Sequence, residues 1–159
     1  MLGLYDPVVH RPLATRFGHD VGAATLTFRP LALWLLGYPK TALVETNRAI
    51  AAARGTDHIP TLLFALTATA FTHICSREHA AAAVHLDECI ALTQEKAPVI
   101  YFKMFAAGQR GCVLAQTGKP AGAIQAISAE IAGMRAIGGT IWGPYWLAHF
   151  SLCSAWETR

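Results

Sequence analysis

The stretch Leu31–Thr46, LALWLLGYPKTALVET, decides the fold. A strongly apolar run stops at Gly37-Tyr38-Pro39 and restarts at once as a second run of helix-forming residues. Gly37 stands just past a helix end, where a left-handed residue is needed. Pro39 stands at the start of the next helix, where a missing N–H costs little. A connection that short folds two helices back on each other as an antiparallel hairpin.

The same punctuation recurs along the chain. Helical segments are expected at Val21–Leu36, Lys40–Arg54, Pro60–Cys75, Glu78–Lys96, Pro98–Thr117, Pro120–Ile137 and Pro144–Glu157. Pro60, Pro98, Pro120 and Pro144 lie near helix starts; Gly37, Gly55, Gly118 and Gly138 lie just past helix ends. There is no Asn-Gly or Asp-Gly turn and no sustained period-two alternation, so strands are not expected.

Gly37 has counterparts at Arg77 and Gly118, shifts of 40 and 41 residues. Five residues after each comes Ala42, Ala82 or Ala123; seven before each comes the compact Pro30, Ala70 or Gly111. A small residue on the first helix of a hairpin thus pairs with an alanine on the second, letting the backbones approach closely. One hairpin cannot cover its own apolar faces, so neighbours must stack. The spacing predicts an all-α protein, a right-handed superhelix of tetratricopeptide-like hairpins. Each repeat spans about 40 residues against the usual 34 or so. Residues 1–20 form an N-terminal extension, and 21–159 a single repeat domain of about three hairpins plus a partial fourth.

Composition agrees with close-packed helices. The 159 residues are 53% hydrophobic and 14% charged, against roughly 25% charged in an average soluble domain. The balance of 13 basic and 10 acidic residues leaves +3, with no run of Lys or Arg, so no nucleic-acid partner is expected. Ile59–Ser76 and Ala136–Trp156 lack Asp, Glu, Lys and Arg. The first is interrupted by threonines and His73, the second by Gly-Gly-Thr and Gly-Pro, so neither is read as a membrane span of about 20 apolar residues. MLGLYDPVVHRP has no basic region leading into an apolar one, and a cytoplasmic protein is expected. Cys75, Cys89, Cys112 and Cys153 form no CxxC pair and read as reduced core residues.

Leu4-Tyr5-Asp6-Pro7, His10-Arg11, Phe17-Gly18-His19-Asp20 and Leu31–Pro39 carry a resemblance. They resemble the tetratricopeptide-like C-terminal region of bacterial multidomain signalling proteins that join an adenylate/guanylate cyclase or other output domain to an AAA-type ATPase. The likeness is sharpest over Leu4–Arg54. It implies a regulatory or scaffolding segment, and it carries no cyclase or ATPase residue onto this chain. Two positions depart from the pattern: Pro30, which should kink the first helix, and His79, which stands in the slot of Pro39.

Chemistry finds little foothold. Thr117-Gly118-Lys119-Pro120 lacks the flanking residues of a phosphate-binding loop, with Val113 and Pro120 in the decisive places. His85 and Cys89 share a helix face, with His73, Cys75 and His79 nearby in sequence, but no structural zinc spacing emerges and these residues are assigned to the core or its border. Asp87 and Glu88 are adjacent and face different directions. No Gly-x-Ser-x-Gly elbow is present. No catalytic residue, metal or cofactor is therefore expected.

What remains is binding. Lys103 and Arg110 lie seven apart on one face and could meet a partner's carboxylate. Tyr145, Trp146 and Phe150 share helical spacing in a late aromatic cluster with Trp142 and Trp156. The expected function is a non-catalytic module for a protein or peptide partner, with Lys103, Arg110, Trp146 and Phe150 as candidate contacts. Its alternative is a small-ligand sensor with a pocket inside the superhelix. Self-association is also expected through the last helix, because the fourth hairpin lacks its second helix and leaves Trp146, Phe150 and Cys153 without their usual cover.

Overall fold

The computed structural model describes residues 2–95, 99–139 and 142–157. Among them every regular element is helical. Two 3₁₀ turns, Leu2–Leu4 and Arg11–Leu13, alternate with the short α1 (Pro7–His10) and α2 (Ala14–Phe17). The long helices follow: α3 (Val21–Leu35), α4 (Pro39–Arg54), α5 (Ile59–Cys75), α6 (His79–Glu95), α7 (Ile100–Gln116), α8 (Pro120–Ala136) and α9 (Gly143–Glu157). Their bounds lie within a residue or two of those expected. Lys96 and Pro98, expected at a helix end and a helix start, lie outside the described residues.

The hairpin turns close in one way. Gly37, Arg77 and Gly118 all take left-handed backbone, with φ of 87°, 61° and 76°. In each, the next residue donates its N–H to the carbonyl five positions back: Tyr38 to Leu33, Glu78 to His73 and Lys119 to Leu114, each at 2.9 Å. This bond satisfies a carbonyl that the helix end would otherwise leave bare. Gly138, φ 79°, ends α8 likewise. Gly55 departs from expectation. Its φ is −70°, because its N–H still reaches back to Ala51, and the left-handed residue after α4 is Asp57 at 52°.

Counted from those turns, the second helices bury matching positions. These are Ala42, Thr46, Ala49 and Ala53 on α4, Ala82, Leu86, Cys89 and Thr93 on α6, and Ala123, Ile127, Glu130 and Met134 on α8. Ala42, Ala82 and Ala123 are each 0% exposed, and Pro30, Ala70 and Gly111 are buried on the first helices. Gly111 shows why size matters there: an added Cβ would lie 2.8 Å from Ile127 Cγ1 and 3.3 Å from the Ala123 carbonyl oxygen. α3 runs unbroken through Pro30, whose ring removes the N–H that the Leu26 carbonyl would accept.

Within hairpins α3 packs on α4, α5 on α6 and α7 on α8. Between hairpins α4 meets α5, α6 meets α7 and α8 meets α9, while α3, α5, α7 and α9 also touch in succession. The first helices therefore form a row, and the core lies between it and the second helices. Leu63, Leu66, Leu86 and Ile127 are fully buried there, each stabilising the fold by roughly 1.5–3 kcal/mol.

The N-terminal extension is pinned to the first two hairpins. The Tyr5 hydroxyl donates to Asp20 Oδ2 at 2.6 Å, while Asp20 Oδ1 caps α3 by accepting from the Ala23 N–H at 2.8 Å. The Asp20 N–H donates to Thr61 Oγ1 on α5 at 2.8 Å. The Tyr5 ring lies over Gly22, where an added Cβ would come within 2.7 Å of it. Several residues of the N-terminal stretch are thus fold anchors: Tyr5, Asp20, Asp6 as the cap of α1, and Gly18 at φ 83°. Among the described residues no helix is long and apolar enough to cross a membrane.

Candidate functional site

The row of first helices presents a groove lined by six aromatic rings: Phe28 from α3, Phe64 and Phe71 from α5, Tyr101 and Phe105 from α7, and Trp142 just before α9. The rings brace one another. Phe28 meets Phe64 edge-on at 5.5 Å between centroids, Phe105 lies 5.4 Å from Trp142, and Phe71 lies 5.9 Å from Trp142. Such pairs add to the burial of area and hold ring orientation. Between them is a cavity of about 140 Å³.

Its polar groups differ in what they have left to offer. Thr27 donates to the Ala23 carbonyl at 2.8 Å and Thr67 to that of Leu63 at 3.0 Å, so both hydroxyl protons are spent within their own helices. Gln109 is different: it is 0% exposed, and neither its Nε2 nor its Oε1 has a hydrogen-bond partner. Counted from the turns, Gln109 occupies the position of Phe28 on α3 and Ala68 on α5, and all three line the cavity. A polar side chain thus stands where the other two hairpins place apolar ones.

The residues expected to bind lie elsewhere. Lys103 is exposed on α7, whereas Arg110 Nε donates to Asp87 Oδ1 on α6 at 2.9 Å, engaged within the chain. Trp146 is 1% exposed, with its ring 5.4 Å from that of Phe105. The indole expected to be a contact residue is therefore a core residue, because α9 lays it against α7. Phe150 is half-buried and packs on the same core, and Cys153 is 0% exposed. Among the described side chains of α9, the large apolar one turned outward is Leu147, 46% exposed. The side chain of Trp156 lies outside the described residues.

Asp87 and Glu88 do face different helices: Asp87 meets Arg110, and Glu88 accepts from Arg54 Nη2 at 2.8 and 2.9 Å. His73 and His85 meet edge-on at 5.0 Å. Burial lowers the pKa of both, that of His85 to about 4. Burial pushes the Cys89 and Cys112 thiols up to about 12, far from the thiolate that a nucleophile needs. None of the four cysteines forms a disulfide. Among the described residues no group of three or more His, Cys, Asp or Glu is placed to hold a metal.

None of Phe28, Phe64, Phe71, Tyr101, Phe105 and Gln109 stood out in the sequence. The signal was present as helical stripes: Tyr101, Phe105 and Gln109 recur every fourth residue, and Phe64 and Phe71 are seven apart. No family model, curated protein or solved structure matches the chain. What the fold and the groove define is a class, an all-helical protein of successive hairpins with an aromatic groove along its first helices.

Proposed function

We propose that this protein is a non-catalytic helical-repeat module, and that the groove along α3, α5 and α7 takes a segment of a protein partner. The repeated burial register supports the repeat reading, and a right-handed superhelix would place the first helices on its concave side. The observation that carries the binding reading is the aromatic lining, since exposed and half-buried aromatic rings around a pocket are the usual anchors of a protein contact. Size favours a peptide side chain over a free metabolite. Small-molecule sites commonly enclose about 300–1,000 Å³, and this cavity encloses about 140 Å³. In the signalling proteins that the chain resembles, such a module would join or regulate the catalytic domains.

The test is selection from a random-peptide display library, followed by titration of the enriched peptides against Phe28→Glu. Phe28 is 59% exposed, so its replacement leaves the core intact, and binding should weaken at least roughly tenfold, as for an interface anchor. The proposal is lost if no peptide is enriched, or if the enriched peptides bind Phe28→Glu and Phe64→Glu as they bind the parent.

A further inference from the structure

An aromatic groove needs nothing more than apolar lining to bind an apolar group. The Gln109 carboxamide is therefore surplus to that task, and it is costly: a buried donor or acceptor without a partner carries its desolvation penalty undiminished. The other two hairpins avoid this with Phe28 and Ala68 at the same position. The hydroxyl protons of Thr27 and Thr67, also in the groove, are already spent on carbonyls of their own helices.

We propose, resting on the groove reading above, that Gln109 is the specificity residue of the groove. It pairs with a backbone amide of the bound segment while an aromatic side chain of that segment fills the cavity. The two halves of the proposal come from separate observations. A dry apolar cavity of about 150 Å³ accepts one benzene ring, and this one measures about 140 Å³, so it holds a single ring. A carboxamide offers one acceptor and two donors, and both ends of the Gln109 amide are unspent. A peptide N–H and C=O beside an aromatic residue complement both ends at once. A hydrocarbon or an ester leaves the Gln109 donor or acceptor unanswered, and a site built to hydrogen-bond rejects ligands that lack the partner.

The experiment uses three defined probes on the whole chain: N-acetyl-L-phenylalanine N-methylamide, methyl 3-phenylpropionate, which has the ring without an N–H, and N-acetyl-L-alanine N-methylamide, which has the amides without the ring. Binding is followed by NMR through the Trp142 indole and Gln109 side-chain N–H resonances. The phenylalanine diamide should bind roughly tenfold tighter than either other probe. In Gln109→Met and Gln109→Leu it should bind no better than the ester, and both variants should melt at or above the parent's temperature, since an unsatisfied amide has been removed. Two variants guard against one packing badly. Equal binding of ester and diamide to the parent, or a preference that survives in both variants, overturns this proposal and leaves the groove as a site for any apolar group. If no ring-bearing probe shifts Trp142, the groove reading falls and takes this proposal with it.

Discussion

Glu130 on α8 lies against the bare backbone of Gly108 on α7, so close that a Cβ added to Gly108 would stand 2.6 Å from Glu130 Cγ. Side chain and glycine fit only as a pair. Gly108→Ala should therefore destabilise the protein by roughly 1–3 kcal/mol through overpacking. In a Glu130→Ala background the Cγ is gone and only the tight 3.0 Å approach to the Cβ of residue 130 remains, so the same change should cost distinctly less. A double-mutant cycle in urea measures that coupling; additive costs would place the strain elsewhere.

The same glutamate gives the protein a distinctive pH dependence. Glu130 is 2% exposed, both of its carboxylate oxygens lack partners, and burial pushes its pKa up to about 7. The folded chain holds this proton where the unfolded chain has released it. Its contribution is therefore complete below the unfolded value of 4.5 and is lost as pH rises through about 7. His73, His85 and His149, whose pKa values burial lowers, act oppositely: they hold stability above 6.5 and lose it as pH falls. Glu130→Gln removes the first slope alone. At about pH 8 it should stabilise by on the order of 1–3 kcal/mol, and near pH 4 the gain should vanish. Parallel urea midpoints for parent and variant across that range would contradict the assignment.

Arg77 takes the left-handed turn conformation that Gly37 and Gly118 take without steric cost. Arg77→Gly should stabilise by up to about 1 kcal/mol, the relieved Cβ strain offset in part by a freer unfolded chain. The reciprocal Gly118→Arg should destabilise by about 1–2 kcal/mol. Thermal melts of the two variants should move in opposite directions; a shift in the same direction would mean that the turns are not equivalent.

Ala82 and Ala123 sit fully buried at matching places in successive hairpins. Ala82→Leu and Ala123→Leu should each cost roughly 1–3 kcal/mol by forcing the paired helices apart. The exposed neighbours Ala80 and Ala121 supply controls, and leucine there should change stability by less than about 0.5 kcal/mol. Equal effects at buried and exposed positions would refute the register.

The sequence by itself determined the helices, their hairpin turns and the places where helices touch most closely. Those features rest on local chemistry: Gly37 and Gly118 permit left-handed backbone, Pro39 and Pro120 start helices, and Ala42, Ala82 and Ala123 recur at one offset from the turns. Only the tertiary structure decided which helix faces combine. Trp146 reads as a bare aromatic on an unfinished hairpin, yet α9 lays it against Phe105. Arg110 reads as a cation open to a partner's carboxylate, yet Asp87 on α6 takes it up. The groove is composite, drawing Phe28, Phe64, Tyr101 and Trp142 from distant parts of the chain, so no single segment announces it. Gln109 and Glu130 are the sharpest case. Glutamine and glutamate usually mark exposed helix faces, and their burial follows from where neighbouring hairpins dock, a long-range packing outcome that local residue chemistry does not contain.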